Sequence, residues 1–166
     1  MSGVGGHVRP RILVVDDQQD FVDLVVDAIK DFVRGARVEG ACGGYEGLLR
    51  VGSFQPHLLV LDLRMPGLDG FEVCRRVRED PVTKPTKIVA MTGFGDDQAE
   101  QLAMTCGADA FVPKGAGLTA IGRRIKALLN ADSAATGVTL ASSRARVKNE
   151  RARNERPTKT RTRTPD

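Results

Sequence analysis

At 166 residues, 41% hydrophobic and 28% charged, the chain has room for one ordinary domain plus a tail, with a globular rather than a disordered composition. No apolar stretch approaches the roughly 20 residues of a membrane span, and Met1-Ser2-Gly3-Val4-Gly5-Gly6-His7 lacks the apolar core of a signal peptide, so a cytoplasmic location is expected. The net charge of +4 is uneven: residues 131–166 hold nine of the 25 Lys/Arg and four of the 21 Asp/Glu, leaving 16 basic and 17 acidic residues before them, a balance that argues against the body as a nucleic-acid binder.

From Arg11 to Asn130, short β-rich runs alternate with helical periodicity. The run Ile12-Leu13-Val14-Val15 ends in Asp16-Asp17 and is followed by Phe21, Leu24, Val25, Ala28, Ile29 and Phe32 at helical spacing. Val38 lies in a short second strand, and Tyr45, Leu48 and Leu49 sit on a short helix that Pro56 closes off. The third strand, Leu58-Leu59-Val60-Leu61, ends in Asp62 and the turn Met65-Pro66-Gly67-Leu68-Asp69-Gly70. Asp69 is placed to cap a helix carrying Phe71, Val73, Cys74 and Val77, which Asp80-Pro81 and Lys84-Pro85 break. A fourth strand, Ile88-Val89-Ala90-Met91, ends in Thr92, and a helix with Ala99, Leu102, Ala103 and Cys106 stops near Gly107. The fifth strand, Ala110-Phe111-Val112-Pro113, ends in Lys114, and a last helix carries Leu118, Ile121, Ile125, Leu128 and Leu129.

Five β–α units with near-continuous apolar strands predict an α/β fold with a parallel sheet covered by helices on both faces. Right-handed crossovers give a flavodoxin-like doubly wound sheet in the order 2-1-3-4-5. In that order the first and third strands are neighbours, and Asp16, Asp17, Asp62, Thr92 and Lys114 all converge on one crevice at the carboxyl ends of the strands. The predicted organisation is a flexible N-terminus over 1–10, the domain over 11–130 and a basic, disordered tail over 131–166. Cys42, Cys74 and Cys106 have neither metal nor redox spacing and read as buried, reduced thiols.

Three carboxylates in one crevice repel one another and stay ionised only beside compensating cations. Lys114 supplies one positive charge, and Mg²⁺ fits the remainder better than Ca²⁺, because no twelve-residue calcium loop is present. Zinc is disfavoured, since neither His7 nor His57 stands at ligand spacing from a cysteine. His57, at a strand start, belongs to the opposite end of the sheet and reads as structural. A carboxylate beside Mg²⁺, an ammonium and a hydroxyl has the equipment to attack phosphorus and form an aspartyl-phosphate.

Residues 10–130 resemble the receiver domain of two-component response regulators. The resemblance rests on Val14-Val15-Asp16-Asp17, Asp62-Leu63-Arg64-Met65-Pro66-Gly67 with Gly70, Met91-Thr92-Gly93, and Ala108-Asp109-Ala110-Phe111-Val112-Pro113-Lys114. It implies that Asp62 accepts a phosphoryl group from a sensor histidine kinase or a histidine phosphotransfer protein, with Lys114 and Thr92 assisting. It also implies Mg²⁺ held by Asp17, Asp62 and the backbone carbonyl of Arg64, with Asp16 acting through water. Thr92 and Phe111 would form the switch, the ring rotating inward, and the face of the fourth helix, fifth strand and fifth helix would meet a downstream protein. Such chemistry is directed at the protein itself, so an enzyme is not expected. Many receivers carry a proline after the lysine in a cis bond; here Gly115 follows, so a trans bond and a differently shaped loop are expected.

Beyond Asn130 the apolar pattern vanishes, and no separate output domain is expected. The main functional expectation is a stand-alone phosphoacceptor switch acting through protein contacts. The alternative is a DNA-binding response regulator using the basic tail, the one segment expected to reach nucleic acid. A phosphatase of the aspartyl-phosphate type is disfavoured, because it would want an acid two positions after Asp62, where Arg64 stands.

Overall fold

The computed structural model describes residues 9–93 and 97–131. The chain divides into two units, Met1–Leu129 and Asn130–Asp166, and the description below concerns the first. The expectations for 1–8 and for the tail at 132–166 lie outside the described residues.

Five strands, β1 (Arg11–Asp16), β2 (Arg37–Cys42), β3 (Leu58–Asp62), β4 (Lys87–Thr92) and β5 (Ala110–Pro113), form one sheet in the order 2-1-3-4-5. Every pairing is parallel, with Val15 opposite Leu61 and Asp62 opposite Met91. The helices are α1 (Gln19–Phe32), α2 (Gly44–Phe54), α3 (Gly70–Glu79), α4 (Asp97–Thr105) and α5 (118–131). This is the expected doubly wound arrangement.

The period of two along each strand divides the core between the two faces of the sheet. Leu13, Val15, Leu59, Leu61, Ile88 and Ala90 face α2, α3 and α4, in one cluster with Val51, Val73, Val77 and Ala103. Ile12, Val14, Leu58, Val60, Val89 and Met91 face α1 and α5, with Val25, Ile29, Ile121 and Ile125. Both faces of β1, β3 and β4 are therefore dry, which is why these strands read as unbroken apolar runs.

Several local expectations hold. The Asp69 carboxylate accepts the Glu72 amide at 2.9 Å and caps α3. Just past α4, Gly107 takes φ +96°, the left-handed conformation that ends a helix. Two readings need correction. On α1 the buried residues are Val22, Val25 and Ile29, whereas Leu24 is 53% exposed. Gly40 of β2 leaves the space that Val22 fills, since a Cβ there would meet Val22 Cγ1 at 2.4 Å, and so the buried stripe turns toward Val22. Of the three free cysteines, only Cys74 is buried; Cys106 is half-buried and Cys42 is exposed, because β2 is an edge strand and Cys42 ends it.

Candidate functional site

The strands β1, β3 and β4 end in Asp16, Asp62 and Thr92, and Lys114 directly follows β5. Strand parity then sorts the four. Asp16 and Asp62 continue the residues facing α1 and α5, while Thr92 continues Ile88 and Ala90 on the face that holds Phe111. The carboxylates and the hydroxyl thus approach the same rim from opposite sides of the sheet.

Asp16 is fully buried and Asp62 is 2% exposed. Asp17 is half-buried, and the ligand oxygens of all three lie within 4.8 Å of one another. Each buried carboxylate is fixed by a short-range turn: Asp16 Oδ1 accepts the Gln18 amide at 3.0 Å, and Asp62 Oδ1 accepts the Arg64 amide at 3.1 Å. Their second oxygens face one ammonium. Lys114 Nζ stands 2.5 Å from Asp16 Oδ2 and donates to Asp62 Oδ2 at 2.9 Å.

Charge does not balance at this rim. Three carboxylates and one ammonium sum to −2, the charge a single divalent cation cancels. Burial pushes the Asp62 carboxyl up, against the opposing pull of Lys114 and the Arg64 amide. At Lys114, burial opposes the charged form, but the bonds to Asp16 and Asp62 overcome it and the ammonium is held more firmly than an ordinary lysine. Hydrogen bonding is also incomplete: among the described residues, Thr92 Oγ1 is fully buried without a partner, and Asp16 Oδ2 has only the Lys114 ammonium. Buried polar groups left this way are rare and costly. An all-oxygen donor set with a deficit of two positive charges fits a hard divalent ion.

The loop after β3 is seated by two glycines that lack room for a side chain. A Cβ on Gly70 would fall 2.0 Å from the Asp62 carbonyl oxygen, and one on Gly44 would fall 2.0 Å from the Leu68 carbonyl oxygen. Either substitution would push the loop off the rim. Gly70 belongs to the turn noted in the sequence; Gly44 carries no signal there, since the approach comes from a different element.

Asp16, Asp17, Asp62 and Lys114 come together at one rim, and Thr92 ends β4, the strand next to β3. Phe111 is 9% exposed and packs in the same cluster as Leu61, Leu63 and Ala103. The Arg64 amide lies at the rim, bonded to Asp62. No cis peptide bond occurs among the described residues. Instead Lys114–Ala116 forms a 3₁₀ turn that closes through the Gly117 amide to the Lys114 carbonyl at 3.2 Å. One neighbour was missed: Phe21, expected only as part of a core face, places its ring centroid 4.7 Å from Lys114 Nζ. His57 lies at the other end of the sheet, accepting the Arg11 amide on Nδ1 at 2.9 Å, and burial followed by the charge of Arg11 lowers its pKa.

Residues 12–126 match the family model of the response regulator receiver domain. The chain is 35% identical over 120 residues to the DNA-binding dual master transcriptional regulator RpaA of Synechocystis, covering 72% of this chain and 49% of that protein. It is 38% identical over 126 residues to the response regulator MprA of Mycobacterium ulcerans, covering 72% and 50%. The chain thus spans about half the length of the curated relatives it matches. Among solved structures, the signal receiver domain of a DNA-binding response regulator from Colwellia psychrerythraea superposes with a TM-score of 0.67 at 27% identity, covering 72% of this chain and 98% of that one.

Proposed function

The chain belongs to the response regulator receiver family of two-component signalling, and from that premise we propose that it is a phosphoacceptor switch with Asp62 as the acceptor. The observation that carries this reading is the pairing of Asp62 Oδ2 with Lys114 beside two further carboxylates and an orphaned threonine hydroxyl. A carboxylate oxygen of Asp62 attacks the phosphorus of a phosphohistidine on a sensor kinase or phosphotransfer protein. The O–P bond forms as the P–N bond breaks, and the departing imidazole takes up a proton. Lys114 follows a phosphoryl oxygen, and the Thr92 hydroxyl gains the acceptor it lacks.

Asp16, Asp17, Asp62 and the Arg64 carbonyl would hold Mg²⁺, which supplies neutralising charge for the phosphoryl oxygens. Movement of Thr92 toward the phosphoryl group changes the space beside Phe111 on the same face of the sheet. The face formed by α4, β5 and α5 would meet a downstream protein, and α4 carries exposed apolar side chains in Leu102 and Met104. On this reading the chemistry is self-directed, so the protein is not an enzyme, and it works in the cytoplasm. No described helix is long and apolar enough to cross a membrane.

Acetyl phosphate with Mg²⁺ tests the assignment. It should yield an acid-stable, hydroxylamine-labile adduct that Asp62→Asn abolishes; an unchanged mass in the wild-type protein would sink it.

A second reading, DNA binding, is favoured by the DNA-binding description of RpaA and by the nine Lys/Arg in 131–166. It requires steeply salt-dependent DNA binding that disappears on truncation after Asn130.

A further inference from the structure

Phe21 sits in the first turn of α1, its amide bonded to the Gln18 carbonyl at 3.0 Å, and its ring packs on the cluster beneath the sheet. The Lys114 ammonium lies over that ring at 4.7 Å, while Asp16 and Asp62 hold it at 2.5 and 2.9 Å. Nothing in the Lys114 backbone fixes the side chain so closely. The lysine is followed by Gly115 and Gly117, both in open space and the second at φ +84°, and the bond after it is trans. A lysine stem has four rotatable bonds, so its tip is placed by the groups it touches.

Those groups differ in what happens when the site is used. The Asp16 and Asp62 carboxylates are the oxygens a divalent cation and a phosphoryl group would engage. The ring is a weak, uncharged base whose electron-rich face attracts the ammonium without competing for either. We propose that Phe21 is a positioning residue for Lys114, its ring keeping the ammonium at the mouth of the site while the carboxylates turn to metal and phosphoryl group. The proposal rests on Asp62 as acceptor for its functional half; the contact itself stands apart from that reading.

The test uses the full chain with Phe21→Leu, Phe21→Tyr, and Phe21 carrying one, two or three ring fluorines. Fluorination drains the ring face while nearly keeping its shape. Two quantities are read: the initial rate of adduct formation from acetyl phosphate and Mg²⁺, and the NMR shift of the Lys114 ε-methylene, which a ring beneath it moves upfield. Phe21→Leu should slow the rate about fivefold, the effect of losing one partly buried cation–π contact. Phe21→Tyr should restore most of that loss, and the fluorine series should fall step by step. A flat fluorine series overturns the proposal even if Phe21→Leu is slow, because packing alone would then explain the loss. If the wild-type protein takes up no phosphoryl group, the Asp62 assignment fails, and the methylene shift decides alone. An upfield shift lost in Phe21→Leu upholds the contact, and its absence in the wild-type protein overturns it.

Discussion

The two ends of the sheet are built on opposite principles. At the amino ends of the strands, the polar groups are satisfied. Arg78 donates to the carbonyls of Gly107, Lys84 and Thr86 and to the Asp109 carboxylate, all at 2.7–2.8 Å. Asp109 in turn accepts the Ile88 amide, Thr86 donates to the Pro56 carbonyl, and His57 accepts the Arg11 amide. At the carboxyl ends, Asp16 and Asp62 share one ammonium with Asp17 beside them, and among the described residues the Thr92 hydroxyl has no partner. One rim closes the fold; the other holds unfulfilled chemistry that a cation and a phosphoryl group would complete. Mutations at the two rims should therefore have opposite signs.

The largest effect is expected at the satisfied rim. Arg78→Met keeps much of the stem but removes four hydrogen bonds, two of them part-buried contacts with the Gly107 and Thr86 carbonyls, and should cost about 2–3 kcal/mol in denaturant unfolding. A loss below about 1 kcal/mol would mean that water replaces the guanidinium, and the contrast between the rims would weaken.

Next in size is a gain at the other rim. The raised pKa of Asp62, due first to burial, means that its ionised form costs stability at neutral pH. Asp62→Asn, without added metal, should stabilise the protein by roughly 1–2 kcal/mol. Mg²⁺ should raise the unfolding temperature of the wild-type protein and do so less in the variant, which scanning calorimetry would measure. A destabilised Asp62→Asn would show that the Lys114 pair outweighs the crowding of like charge.

How much of this contrast the sequence revealed follows from the range of the forces involved. Strand ends are local, so Asp16, Asp62, Thr92 and Lys114 were legible as a set once the parallel order was inferred. The Arg78 clamp was not, because its acceptors lie 6 to 31 residues away and three of the four are carbonyls, which carry no side-chain signature. Helical spacing gave the existence of α1 but not its rotation, which Gly40 sets by making room for Val22. The exposure of Cys42 was hidden for a related reason. An edge strand is defined by the neighbour it lacks. Phe21 was read as core since an aromatic at helical spacing usually is, and its second contact depends on where a flexible lysine ends.

A smaller effect separates two buried threonines of like exposure. Thr86 Oγ1 donates to the Pro56 carbonyl at 3.0 Å, and Thr92 Oγ1 has no partner. Thr86→Val should cost about 1 kcal/mol, while Thr92→Val should be neutral or stabilising by a similar amount, since it removes an unsatisfied hydroxyl from the same shape. Equal losses in the pair would mean that the Thr92 hydroxyl finds a partner in solution, and the difference between the two rims would shrink.

The smallest effect is a proton at the satisfied rim. His57 Nδ1 accepts the Arg11 amide, so the folded protein needs that nitrogen unprotonated, and burial with the Arg11 charge sets its pKa below 6.5. Between the folded value and 6.5 the unfolded chain binds more protons than the folded one. Stability from this group is thus fully present above 6.5 and is lost as the pH falls through that window. His57→Asn keeps an acceptor near Nδ1 and cannot titrate. Denaturant midpoints at about pH 7.5 and about pH 5.5 should show wild type losing under about 1 kcal/mol more than the variant on acidification. Parallel curves would mean the ring titrates as a free histidine and its bond to Arg11 is dispensable. The sign separates the rims once more: added positive charge unsettles the end whose bonds are complete, and a divalent cation steadies the end whose bonds are not.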